Sequence, residues 1–260
     1  MLVFAYPTMR NKFHDYFEWT HRFLGWTAVA LIWALLILFI NDSRDPGQTL
    51  GNACTHNAAF WFQCIITLSI ILPWLRLRKI DVRAVILSKH AARLYLNYSM
   101  SFPSTGHLVR LSHDPTAPYG TATTIRLTHS PLKEWHGFAA IPEPGSKKGE
   151  FSVIVSRAGD WTSNIIDNPP TKLWVRGIPT SGVLKITPMF RRIVLVATGS
   201  GVGPCAHTLF EGHVPIRLLW ISPNVRDTFG DEFVDQILHY APDTVLYGEE
   251  CDPPQSLPKR

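Results

Sequence analysis

A chain of 260 residues has room for one large or two small domains, and 46% hydrophobic against only 17% charged residues is a charge-poor balance for a globular protein. The formal net charge of +5 is modest and its bases are scattered, without the interleaving of cations and rings that a nucleic-acid groove needs, which argues against nucleic acid as a partner. The four cysteines, Cys54, Cys64, Cys205 and Cys251, lack Cys-x-x-Cys spacing, so neither a zinc or iron–sulfur site nor a disulfide scaffold is expected, and no metal is assigned.

Phe23 to Ile40 and Ala58 to Leu75 are uncharged runs of eighteen residues each. Helical rise makes each roughly 27 Å long, enough for the hydrocarbon core of a bilayer. Both are apolar on every face, so two transmembrane helices are expected inside a membrane anchor over 1–78, with Pro73 kinking or closing the second. Polar and charged residues from Arg10 to Arg22 precede the first run, unlike a signal peptide. Arg10, Lys12 and Arg22 flank one end, and Arg76, Arg78, Lys79 and Arg83 the other. The loop Asn41–Asn57 has only Arg44 against Asp42 and Asp45. The positive-inside rule then gives an integral membrane protein with lipid as a partner and both termini in the cytosol. His14 and His21 share a helical face about 10 Å apart along it, which rules out axial ligation of one haem; haem is not expected in this chain alone.

Val82–Leu87, Ala92–Leu96, His107–Leu111, Gly149–Ser156 and Lys172–Arg176 read as short strands separated by Pro, Gly, Ser and Asp, the punctuation of an antiparallel barrel. Leu108-Val109-Arg110-Leu111-Ser112-His113 is echoed by Thr124-Ile125-Arg126-Leu127-Thr128-His129 around Pro118-Tyr119-Gly120. This segment is either a surface hairpin or an insertion that repeats a strand end without adding to the core. From Arg192 the rhythm changes. Strand Ile193–Ala197, a short helix, strand Ile216–Ile221, a helix over Phe229–Tyr240 and strand Thr244–Tyr247 alternate as in a small parallel sheet, with a boundary near Pro188.

Between the first of these strands and its helix lies Thr198-Gly199-Ser200-Gly201-Val202-Gly203-Pro204. Glycines here permit positive φ and close backbone approach, and the following helix can offer free N–H groups to phosphate. Cys205 follows directly, either facing a redox cofactor as a weak catalytic candidate or packing as a small buried thiol.

Glu134-Trp135-His136-Gly137-Phe138-Ala139 is similar to a His-Pro-Phe-Thr-type flavin motif, with Gly137 for proline and Ala139 for the hydroxyl residue. Arg157-Ala158-Gly159-Asp160-Trp161-Thr162 is similar to the glycine segment that follows it, and Gly199, Gly201, Gly203 and Pro204 match the nucleotide loop. On these motifs, roughly Lys79 to Tyr247 resembles the ferredoxin–NADP reductase superfamily, in its membrane-bound ferric-reductase and NADPH-oxidase-like branch, nearest to fungal integral-membrane flavoproteins. Gly177-Ile178-Pro179 stands where the family has a Gly-Pro-Tyr-Gly turn, and Cys251–Pro258 reads as a tail where the family continues. The resemblance implies a mixed fold: two membrane helices, a flavin-type antiparallel β-barrel over 79–188 with an insertion around 113–128, and a partial Rossmann-like α/β domain with its tail over 189–260. It implies FAD near His136, Phe138, Gly159 and Thr162, and NADPH or NADH at Thr198–Pro204. Arg157 is the cation for flavin phosphate, with Arg110 and Arg126 as alternatives; Trp135 and Trp161 either stack on flavin or close the barrel core. The expected function is a membrane-anchored flavoprotein oxidoreductase passing reducing equivalents from NAD(P)H through FAD to a redox acceptor or protein partner. The alternative is a truncated or non-catalytic reductase-like scaffold or subunit.

Overall fold

The computed structural model describes residues 6–8, 14–98, 123–143, 150–176, 180–212 and 214–248. Strand candidate His107–Leu111, the Pro118-Tyr119-Gly120 segment, Gly177-Ile178-Pro179 and the tail from Cys251 lie outside them. The chain divides into two compact units: Met1–Arg78 with Thr128–His136 and Arg176–Ile178, and Lys79–Leu127 with Gly137–Val175 and Pro179–Arg260.

The first unit is built on α1 (His14–Ser43), α2 (Leu50–Thr55) and α3 (Ala58–Leu75). Asn57 caps α3, its side-chain oxygen accepting from the Ala59 amide at 2.9 Å, and Pro73 sits in its last turn. Trp33 Nε1 donates to Thr67 Oγ1 at 2.8 Å, tying α1 to α3, and Trp26 meets Trp74 edge-on at 5.5 Å. Arg22 donates to the carbonyls of Leu132 and Lys133, and Arg176 lies over the rings of Trp74 and Trp135. The two long helices are long and apolar enough to cross a membrane by length and composition only, a test that the core helix of another protein also passes. Within this chain 6% of each apolar window is buried.

The second unit joins a strand barrel to a parallel sheet. The barrel strands are β1 (Arg78–Ile86), β2 (Ala91–Asn97), β3 (Thr123–Thr128), β4 (His136–Ala139), β5 (Ile141–Pro142), β6 (Glu150–Ser156), β7 (Lys172–Val175) and β8 (Thr180–Ser181). Their order is β4-β3-β7-β1-β2-β6-β5, with β8 beside β3, and β1, β2, β6 and β5 pair antiparallel in succession. Leu94, Ile125, Leu127, Phe151, Val153 and Leu173 fill the interior, and Trp161 on α4 (Asp160–Asp167) closes it. Thr123–Thr128 therefore corrects the reading of 113–128 as an insertion outside the core, at least over its described part. Its alternation buries Ile125 and Leu127 and turns Arg126 outward, the signature of a strand with one wet face.

The parallel sheet is β11-β10-β9, with β9 (Ile193–Thr198), β10 (Ile216–Ile221) and β11 (Val245–Tyr247). A 3₁₀ segment, Val183–Met189, precedes it. Helices α5 (Val202–Glu211), α6 (Val225–Phe229) and α7 (Asp231–Tyr240) follow β9 and β10. Leu195, Ala197, Leu218 and Trp220 face these helices, while Val194 and Val196 point outward, so one face of the sheet is covered. The single helix expected over Phe229–Tyr240 is divided because Gly230 takes φ +81° and ψ +146°, a conformation open only to glycine. Gly230→Ala is expected to lower unfolding free energy by about 1–3 kcal/mol in urea denaturation, because alanine must be strained into that backbone.

Candidate cofactor site

The loop after β9 has its geometry from glycine. Gly199 takes φ +49°, the left-handed region, which lets the backbone leave the strand and enter one 3₁₀ turn before α5 begins at Val202. A Cβ on Gly199 or on Gly201 would meet no atom within 4 Å, so the space over the loop is open. From below, the fully buried Trp220 donates from Nε1 to the Gly199 carbonyl at 3.0 Å. Thr198, Gly201 and Pro204 are exposed at the rim, and Pro204 costs the first turn of α5 no hydrogen bond because amides there have no helical partner. Gly203 faces inward instead: a Cβ there would lie 3.8 Å from Ile141 Cδ1 of β5. Loop, α5 and barrel corner thus belong to one packed body within the second unit.

Cys205 points into the core that Val202, Ala206 and Leu209 share with Ile141 and Leu195. Burial pushes its thiol up to about 11, the opposite of what an activated nucleophile needs. These surroundings suit the packing reading of the residue.

The flavin-type residues occupy several settings. Phe138 on β4 stacks on Trp161 at 5.7 Å and 28°, and Trp161 is buried in the barrel core, so that tryptophan is a core closer in this conformation. Thr162 folds back over the segment before α4: its Oγ1 accepts from the amides of Ala158 and Gly159 at 2.9 and 3.0 Å and donates to the Gly159 carbonyl. Arg157 gives both terminal nitrogens to Asp167 and its Nε to the Lys89 carbonyl. That contact raises the guanidinium and holds the Asp167 carboxyl below its ordinary range. His136 belongs to the first unit, with Nε2 3.2 Å from Glu134 Oε2, and Trp135 there donates to the Pro131 carbonyl. Arg126 is exposed on β3; Arg110 lies outside the described residues.

Three residues escape a reading from motifs. Trp220 holds the loop, and His207 on α5 bonds to the carbonyl of Ala140. Arg93 on β2, 1% exposed, donates to Ser152, Glu143 and Gln236, bridging barrel and α7. The only signal for them was a polar or indole group inside an apolar run.

Comparison with known proteins adds the following. The family described as "Adenylate-forming reductase 03009, C-terminal domain" matches residues 183–252. Adenylate-forming reductases 03009 and 06235 of Coprinopsis cinerea are 52% and 51% identical over 247 residues, which is 95% of this chain and 22% of each of theirs. This chain therefore spans less than a quarter of the length of those curated relatives. Ferric reduction oxidase 4 of Arabidopsis thaliana is 24% identical over 81% of this chain and 27% of its own. Among solved structures, a flavohemoglobin from Malassezia yamatoensis with bound FAD and heme gives a TM-score of 0.49 at 11% identity, covering 82% of this chain and 56% of that one. A ferredoxin–NADP⁺ reductase from Neisseria gonorrhoeae with bound FAD and NADP gives 0.48 at 10%, covering 70% and 72%.

By sequence the chain is similar, along 95% of its length, to one part of two adenylate-forming reductases. Three expectations are corrected. The placement in a membrane-bound ferric-reductase and NADPH-oxidase-like branch gives way, since the relatives that align along 95% of the chain at about half identity are named adenylate-forming reductases. The membrane-anchored electron-transfer function built on that branch falls with it. So does the assignment as an integral membrane protein with cytosolic termini: two helices of such length and composition are weak evidence for a membrane, and the flanking charges give an orientation only where one is crossed.

Iodoacetamide at pH 8 is expected to leave Cys205 unmodified in the native chain and to label it in urea, read by peptide mass spectrometry. A thiol at about 11 has roughly a thousandth of its population as thiolate there, and burial removes access as well.

Proposed function

We propose that this chain is a reductase module that takes a nicotinamide dinucleotide, NADPH or NADH, at Thr198–Pro204 and FAD on the adjoining barrel. The observation that carries the reading is the Gly199–Gly201 turn: a left-handed glycine at a strand end, open space above it, and a helix start beyond it that shares its core with β5. The residues present fit a pyrophosphate there, because a side chain at either glycine would occupy the space it needs. On the barrel, the amides of Ala158 and Gly159 with the Thr162 hydroxyl are the donors for flavin phosphate, and Arg157 is the nearby cation. Phe138 on β4 offers an apolar edge to the ring system. When bound, the two cofactors supply hydride transfer from nicotinamide to flavin and its release as single electrons. In a protein organised like the Coprinopsis relatives, this chain's share is the reductase chemistry, and its acceptor is a partner protein or another part of such a polypeptide.

The purified chain, incubated with FAD and passed over a sizing column, is expected to keep flavin absorbance and to lose it anaerobically with NADPH or NADH. Gly199→Val is expected to keep the flavin and slow that bleaching by at least about tenfold, since valine resists φ +49° and fills the space over the loop. A folded chain that takes up no flavin, or whose flavin stays oxidised with both nucleotides, sinks the proposal.

A further inference from the structure

Gly203, His207 and Glu211 stand four residues apart on one face of α5. That face meets the corner where β4 passes into β5. Gly203 admits Ile141, and one turn further along, His207 Nδ1 donates to the Ala140 carbonyl. Its Nε2 faces Glu211 Oε1 at 3.3 Å, and the His207 and Glu211 side chains are 2% and 11% exposed. A carbonyl only accepts, so Nδ1 is the ring nitrogen that carries a hydrogen. The imidazole is thus gripped at both ends, and its ring cannot turn without leaving a buried polar group unpaired.

Leucine would fill this position without any polar partner, as Leu209 does two residues on. The histidine instead ties α5 to one carbonyl of the barrel. Ala140 is two residues past Phe138, the aromatic of the flavin-type strand, and the glycine loop ends one helical turn before His207. A helix moves as a rod, so whatever fixes α5 at His207 also fixes the loop about 5–8 Å away along the same axis. We propose that His207, held between Ala140 and Glu211, is a positioning residue that sets the nucleotide loop against the flavin-type strand. It touches no reacting atom, and its role rests on the FAD and nicotinamide reading above.

The test uses the full chain loaded with FAD and mixed anaerobically with NADPH. It follows flavin bleaching and the long-wavelength absorbance of nicotinamide stacked on flavin. His207→Leu is expected to keep its flavin content and its half-saturating NADPH within about threefold, to lose the stacking band, and to be reduced at least about tenfold more slowly, because misplacement by about an ångström has such an effect. His207→Asn, whose side-chain amide nitrogen stands where Nδ1 stands and still donates to Ala140, is expected to recover most of the rate and the band. A residue that merely supports the fold would change flavin content and melting temperature and leave the band of the loaded fraction intact, which overturns the proposal. So does a wild-type rate in His207→Leu. If leucine prevents folding, Glu211→Ala decides: a loss of about two- to tenfold with flavin content unchanged supports the role, and an unchanged rate overturns it. A wild-type chain that NADPH does not reduce overturns the cofactor reading itself, and this inference with it.

Discussion

A strand that turns beneath a phosphate needs a residue without a side chain at the turn and a partner beneath to hold the freed carbonyl. Gly199 at φ +49° meets the first condition and Trp220 Nε1 the second. Neither works alone: an unheld glycine turn pays the full entropy of its freedom on binding. Trp220 is itself immobile because Phe229 and Phe233 pack on its ring at 5.1 and 6.2 Å. The same cluster reaches Ala91, Ile141 and Ile154 of the barrel, so the loop takes its rigidity from a core common to both sheets. Arg93 belongs to this argument. A fully buried guanidinium with Ser152, Glu143 and Gln236 around it makes a poor source of stability but a strong constraint, since moving any partner strands a charge.

The parallel half was legible because its residues have one job each. Ile216–Ile221 is a β-branched and apolar run between turn residues, and it forms a strand over that span. The barrel half was less legible for the converse reason. Residues 136–139 were read as part of a ligand motif and are also a four-residue strand; 157–162 were read as a phosphate segment, and a helix, Asp160–Asp167, begins inside it. Trp161, Ile165 and Ile166 recur at helical spacing there, a helix signal that reading Trp161 alone, as a flavin contact or a core closer, left unused. In Thr123–Thr128 the likeness to an upstream segment outweighed a plain alternation of buried and exposed residues. His207 was illegible for a different reason. Nothing in a sequence says which carbonyl a buried imidazole will find.

The membrane reading erred at a different link. Hydropathy measures how poorly a helix suits water and leaves open what takes the place of water. Phe23–Ile40 and Ala58–Leu75 do form helices, so the secondary structure was right. The step from helix to bilayer, and from bilayer to a ferric-reductase-like branch, added two inferences that the residues did not require. The glycine loop and the Arg157–Thr162 segment needed neither, and the likeness to parts of reductases stands without them.

Within the flavin reading, the structure also ranks the donors on the barrel. The amides of Ala158 and Gly159 are occupied by a neutral hydroxyl, that of Thr162. A phosphate oxygen bears charge and forms the stronger bond, so it displaces the hydroxyl from a segment already bent to receive it. Thr162 is then released to donate in its turn. Arg157 faces a different competitor. Asp167 is charged, engages both terminal nitrogens, and keeps its proton off to lower pH than a free carboxylate would. A phosphate gains little by replacing one anion with another, and both side chains are open to water, which screens the exchange. On that proposal main-chain N–H groups are the primary anchors of the phosphate, and Arg157 serves first to fix, through Asp167 and the Lys89 carbonyl, the bend that presents them.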